Sequence, residues 1–285
     1  MFPRGAAGTN PDCEFGGLED NRAARTSHLE ARIMPTLTAD GFTLAYDDVG
    51  PRDARQTVVM LHGFATNRSE NWRRLGWLGA MERKRVRAVA LDFRGHGESS
   101  KPHDPAAYAD GALTRDVCRV MDACEIPSAV MMGFSMGAAQ ALDLAHRHPE
   151  RAEALILGGV GGRFLEPPAD GEMMAEAMEA EDPASIAEPL LRSFRQFADE
   201  QGEDRLALAA CSRALNRRPD AAALMAIRVT TLIVAGVRDD VAGDPDVLAA
   251  AIPGARAVHL PGCDHFSAIA HALHKAAVFD FLEEL

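Results

Sequence analysis

Residues 129–142 run Ala-Val-Met-Met-Gly-Phe-Ser-Met-Gly-Ala-Ala-Gln-Ala-Leu: an apolar run, a Gly133-Phe134-Ser135-Met136-Gly137 turn, then a helical pattern of small residues. A serine at such a strand-to-helix corner sits in a strained backbone conformation that projects its hydroxyl from the strand end. The residues two positions either side, Gly133 and Gly137, must lack side chains, or the helix could not pack against the strand. The helix N-terminus also brings backbone N–H groups and the positive end of its dipole to the hydroxyl, where negative charge would develop during acyl transfer. Ser135 is therefore the candidate nucleophile.

Working outward, short apolar runs alternate with longer helical patterns. The runs fall at 42–49, 57–61, 86–91, 129–134, 154–159, 230–235 and 257–260, most of them continuous rather than alternating, as strands covered on both faces should be. Helical patterns fall at 70–82, 110–124, 136–147, 245–251 and 266–285. Strand alternating with helix predicts a mainly parallel sheet of about eight strands with helices on both faces, and ligands at the carboxyl ends of its strands. One stretch, 161–227, lacks a good strand and is rich in Ala, Met, Glu and Pro; it predicts a small helical cap inserted into a core of 36–160 and 228–285. Between 163 and 205 carboxylates outnumber arginines, which predicts a solvated acidic face. Residues 1–35 have no clear periodicity and no apolar signal core, so they predict a disordered leader or a segment ahead of a start at Met34.

The bulk numbers bound the function. The chain has 285 residues, 47% hydrophobic and 25% charged, an ordinary globular composition. A formal net charge of −12 argues against nucleic acid or an anionic membrane as main partner. No apolar run approaches the roughly 20 residues that a membrane-spanning helix needs. Five cysteines at 13, 118, 124, 211 and 263 form no C-x-x-C pair, so neither a disulfide framework nor a zinc site is expected, and a reduced, cytoplasmic setting fits. The glycines make no P-loop or dinucleotide fingerprint, and no H-E-x-x-H cluster points to a metal. Oligomeric state is not legible.

A serine nucleophile needs a base within hydrogen-bond reach and a carboxylate to orient that base. His265, in Leu260-Pro261-Gly262-Cys263-Asp264-His265-Phe266, lies after the last strand-like run and before the last helical pattern. Of the other histidines, His271 and His274 are expected at the surface, and His146 and His148 suit a helix C-terminus.

With these segments in view, the chain from about Thr36 to Leu285 resembles the α/β-hydrolase superfamily. Leu61-His62-Gly63-Phe64 is similar to that family's oxyanion loop, and Asp92-Phe93-Arg94-Gly95-His96-Gly97-Glu98-Ser99 to its D-x-R-G-x-G-x-S segment, a hydrogen-bonded turn that fixes the loop. The resemblance implies that the N–H groups of Phe64 and Met136 hold the oxyanion, that His62 orients the loop and that Gly63 permits close backbone approach. It places the base at His265, in the chain order Ser…Asp…His. Its G-x-x-D spacing selects Asp239 as the acid, with Asp240 a solvent-facing neighbour; the alternative acid position reads Gly158-Gly159-Val160-Gly161 and offers no carboxylate. It implies no cofactor. Relatives that open epoxides or remove halide need an aspartate where Ser135 stands.

The expected activity is a carboxylesterase type of serine hydrolase, acting on small to medium carboxylic esters through an acyl-enzyme. Carbon–carbon bond hydrolases, cofactor-free perhydrolases and non-turnover ligand-binding proteins of this fold are the alternatives. Met173, Met174, Met178, Leu190, Leu191, Phe194, Phe197, Leu206 and Leu208 are equally candidates for pocket lining and for the cap's own core.

Overall fold

Continuous apolar runs become inner strands when helices cover both faces, and that is where they lie in the structure, a computed structural model describing residues 35–167, 171–215 and 218–285. Apart from Pro35, the leader expected over 1–35 falls outside these residues, as does Met34. Strands β1 (Thr36–Ala39), β2 (Phe42–Val49), β3 (Thr57–Leu61), β4 (Arg87–Leu91), β5 (Ala129–Phe134), β6 (Ala152–Gly158), β7 (Thr230–Gly236) and β8 (Arg256–Leu260) form one eight-stranded sheet in the order β1-β2-β4-β3-β5-β6-β7-β8. All neighbours from β4 to β8 are parallel; β1 with β2 and β2 with β4 are antiparallel. β1 is the strand without an apolar run: an exposed edge, it forms by pairing with β2 and buries no continuous face.

The helices are α1 (Trp77–Arg83), α2 (Ala112–Ala123), α3 (Met136–Arg147), α4 (Gly171–Glu179), α5 (Pro189–Gln201), α6 (Arg205–Ala214), α7 (Ala221–Ala226), α8 (Pro245–Ala251) and α9 (Ala272–Glu284). Successive strand residues point to opposite faces. Val59 and Leu61 of β3 and Met131 of β5 pack with Leu113 and Val117 of α2 and Leu142 of α3. Val58, Met60, Val130 and Met132 pack on the other face with Trp77 and Met81 of α1 and Val278 and Phe281 of α9. Each such side chain contributes about 1.5–3 kcal/mol by leaving water. Between β6 and β7 the chain is helical: α4 packs on α5 and α6 around Met178, Phe194 and Leu208, while α7 returns to α3 and α8.

Three local expectations need correction. The helix expected over 70–82 is two pieces, a π-type turn at Ser69–Arg74 and α1, because Gly76 takes a left-handed φ of 74° between them. The helix expected over 266–285 begins only at Ala272; Asp264 accepts from the Ser267 N–H at 2.9 Å in a tight turn, a 3₁₀ turn at Ala268–Ala270 follows, and His271 caps α9. His274, expected at the surface, is 1% exposed, because its helix face lies on the sheet where Gly158 has no side chain.

Candidate active site

β5 ends at Phe134 and α3 starts at Met136, so Ser135 alone makes the corner, with φ 54° and ψ −113°. A Cβ on Gly133 would lie 2.2 Å from the Gly137 carbonyl oxygen, and one on Gly137 would lie 2.1 Å from that of Leu61. Both glycines are thus demanded by backbone contact, as the strand-to-helix packing argument requires. Gly63 differs from expectation: a Cβ there would make only ordinary contacts, the nearest 3.5 Å from the Phe134 carbonyl oxygen, so close packing does not require glycine at that position.

Loops from three strand ends meet at this corner. The Ser135 hydroxyl lies 2.9 Å from Nε2 of His265, which follows β8. Nδ1 of the same ring lies 3.0 and 2.9 Å from the two carboxylate oxygens of Asp239, which follows β7. A carboxylate only accepts, so Nδ1 carries the ring proton and Nε2 is free to accept from the serine. Asp239 is 3% exposed and is held by the N–H groups of Val241 at 3.1 Å and Ala242 at 2.8 Å. Asp240 faces solvent, and Asp264 is occupied with Ser267. Phe134, Phe194 and Phe266 surround the His265 ring at centroid distances of 5.4, 6.2 and 5.8 Å.

Phe64 and Met136 line a cavity with Ser135, and their backbone N–H groups donate to no acceptor among the described residues. His62 is fully buried: Nδ1 donates to the Gly63 carbonyl at 2.7 Å, and Nε2 accepts from the Phe93 N–H at 3.0 Å. Burial pushes its pKa down to about 4, so it is neutral and ties the loop after β3 to the loop after β4. In the second loop, Asp92 accepts from the N–H groups of Arg68 and Glu98 and pairs with the Arg68 guanidinium, while Arg94 grips Asp116 through two bonds of 2.6 Å.

Asn71 was missed in the sequence. Its Oδ1 accepts from the Gly63 N–H at 3.0 Å, fixing the peptide ahead of Phe64. The only signal was a polar residue early in an otherwise amphipathic pattern. Asp116 was also missed, because its partner is 22 residues away and nothing local announces it.

Two cavities open on Ser135. One, of about 240 Å³, lies on the Met136 side and is bounded by Phe64, Val160, Phe164, Met174, Arg163 and Arg218. The other, of about 170 Å³, lies on the His265 side and is bounded by Phe134, Phe194, Phe197, Phe266, Ile269 and Leu75. Of the apolar candidates between β6 and β7, Met174, Phe194 and Phe197 line these cavities, whereas Met178 and Leu208 are buried among the helices and Met173, Leu190 and Leu206 are exposed. Among the described residues one cluster has metal-ligating side chains, the exposed Asp244, Asp246 and His259, whose ligand atoms lie within 4.8 Å of one another. Asp244 Oδ1 already accepts from the Asp246 N–H there, capping α8. No described helix is long and apolar enough to cross a membrane.

This sheet order and this corner define an α/β-hydrolase architecture, and the chain belongs to the alpha/beta hydrolase fold family, whose model matches residues 56–208. It is similar to the crystal structure of a hydrolase from Pseudomonas aeruginosa PA01, at 31% identity and a TM-score of 0.74, over 88% of this chain and 99% of that one. It is similar to the enol-lactonase from Burkholderia xenovorans LB400, at 27% identity and a TM-score of 0.69, over 87% and 100%. An epoxide hydrolase of Caballeronia sordidicola is 34% identical over 120 residues, 42% of this chain; the match spans 35% of that relative's length.

Proposed function

We propose that this protein is a serine hydrolase that cleaves small to medium carboxylic esters through an acyl-enzyme, with Ser135 as nucleophile, His265 as base and Asp239 orienting the histidine. The observation that carries the reading is the unbroken relay from the Ser135 hydroxyl through both nitrogens of His265 to buried Asp239.

In the first half, Oγ attacks the acyl carbon while its proton passes to Nε2 of His265. The carbonyl electrons move onto oxygen, and the N–H groups of Phe64 and Met136 receive that oxyanion. The tetrahedral adduct collapses, the carbon–oxygen bond to the leaving group breaks, and His265 returns its proton to the departing oxygen. In the second half, water gives a proton to His265 as it attacks the acyl-serine, and collapse frees the acid and restores Ser135. The helical segment 161–227 acts as a cap over the two cavities.

The serine itself argues for acyl transfer over epoxide opening. A hydroxyl nucleophile that opened an epoxide would be left as an ether, which water does not cleave under these conditions, whereas an acyl-serine is hydrolysed by the same base. The similarity to an enol-lactonase structure supports acyl–oxygen cleavage too. Four described cysteines, 118, 124, 211 and 263, are free thiols, which supports a reducing, cytoplasmic compartment.

Hydrolysis of phenyl hexanoate tests the reading. Ser135→Ala should lose about 10⁶ in kcat and Asp239→Asn about 10⁴, while Asp240→Asn keeps activity. Wild-type-like turnover by Ser135→Ala, or a large loss from Asp240→Asn alone, overturns it.

A further inference from the structure

The two cavities at Ser135 differ in charge. In a chain of net charge −12, the cavity on the Met136 side is lined, among its described residues, by two arginines and no carboxylate. Arg163 is neutralised by Glu166 at 3.0 Å. Arg218 has no carboxylate partner among the described residues: it donates to the Arg163 carbonyl at 3.2 Å and lies over the Phe164 ring at 5.2 Å. Those contacts leave its charge unopposed, and although the residue is exposed overall, partial desolvation of the guanidinium lowers its pKa. The opposite cavity is aromatic, and among its described lining residues the one carboxylate is Glu70, with no arginine or lysine.

Direction follows from the chemistry, given the reading that Ser135 and His265 form the catalytic pair. His265 must hand its proton to the leaving oxygen, so the leaving group sits beside it, in the aromatic cavity. The acyl chain then extends past Phe64 and Met136 into the arginine-lined cavity.

We propose that Arg218 binds a carboxylate at the far end of the acyl chain, so that the preferred substrates are monoesters of dicarboxylic acids with an apolar leaving group. One unopposed positive charge matches a monoanion; a phosphate monoester, with nearly two negative charges, would be half compensated. A planar fork of donors also suits the two oxygens of a carboxylate.

The test compares monophenyl adipate with phenyl hexanoate, which carry the same leaving group. Wild type should show the higher kcat/KM on monophenyl adipate, and added salt should erode that preference. Arg218→Gln should lower the adipate-to-hexanoate ratio about 10–100-fold, the loss of a charge-assisted hydrogen bond, and Arg218→Lys should restore part of it. A ratio unchanged in Arg218→Gln, or a wild-type preference for the neutral ester, overturns the inference. If the variants do not fold, the wild-type ratio and its salt dependence decide. Failure of the underlying reading looks different: Ser135→Ala would still turn over both esters, and a fluorophosphonate probe would not label the protein. Labelling with Ser135-dependent hydrolysis but no arginine-dependent ratio removes this inference alone.

Discussion

Ser135 holds a backbone conformation that its side chain disfavours, and the cost is measurable. At φ 54° and ψ −113° it lies outside the regions open to residues with a Cβ, which costs about 1–3 kcal/mol. The fold enforces this because Ser135 N–H is bonded to the Gly158 carbonyl at 2.8 Å and α3 must start one residue later against β3. Ser135→Ala and Ser135→Gly both remove the hydroxyl and its bond to His265, so those losses cancel between them. What remains is the strain, present in alanine and absent in glycine, set against about 0.4–1 kcal/mol of extra unfolded-state entropy for glycine. At the middle of the two ranges, Ser135→Gly should therefore be the more stable by about 1–2 kcal/mol.

At about 2–4 °C per kcal/mol for a domain of this size, the melting temperatures should differ by about 2–8 °C, with the urea midpoint moving the same way and the m-value unchanged. Both variants should lose ester hydrolysis equally. The sign is informative, since at an unstrained position glycine is the less stable of the two. An alanine variant as stable as the glycine variant would refute the argument that the nucleophile is presented by backbone strain.

Two further predictions follow from packing and burial. A Cβ on Gly137 meets only backbone, so Gly137→Ala should cost more than the usual 1–3 kcal/mol of overpacking, whereas on Gly79 it meets only the end of the Arg83 side chain and Gly79→Ala should be neutral or stabilising; equal melting temperatures for the two variants would contradict this. Burial lowers His274, like His62, to a pKa of about 4, so between pH 6.5 and 4 the unfolded chain binds more protons than the folded one; stability is full above about pH 6.5 and falls on acidification by up to about 1.4 kcal/mol per unit for each ring. The gap between urea midpoints at pH 7.5 and 5.0 should narrow in His274→Gln, with the remainder left by His62, and an unaltered pH slope would count against the assignment.

The sheet was legible because its strands are buried on both faces and therefore apolar without alternation, as in β3, β4 and β5. β1 was not, because Thr-Leu-Thr-Ala buries no continuous face and owes its form to β2. α3 and α8 were legible to the residue, one from the corner at Ser135, the other from its helical pattern, and the structure shows Asp244 capping α8 ahead of Pro245. The helix expected over 70–82 failed at Gly76, since a left-handed glycine inside a periodic pattern looks like a tolerated one until the chain is folded. His274 failed for a related reason: whether its helix face meets water depends on Gly158, over a hundred residues earlier. Ser135, His265 and Asp239 stood out through motif and order, whereas Asn71 and Asp116 act through partners that only the fold supplies.

The helical segment between β6 and β7 divides its work in a way that no local pattern could announce. Met174 of α4 and Ser212 of α6 wall the cavity that holds Arg218, while Phe194 and Phe197 of α5 wall the cavity beside His265. α5 is tied down just beyond its end, where buried Glu203 accepts from Asn67 Nδ2 at 2.8 Å and from the Gly97 N–H at 2.9 Å. Those partners belong to the same two loops that His62 joins beneath Phe64. Glu203 thereby ties the wall beside His265 to the loop carrying Phe64, and Phe64, Met174 and Phe194 meet in one apolar cluster that joins both walls. Substitutions in α4 and α6 change the lining of the first cavity without touching the hydrogen bonds that join Ser135, His265 and Asp239.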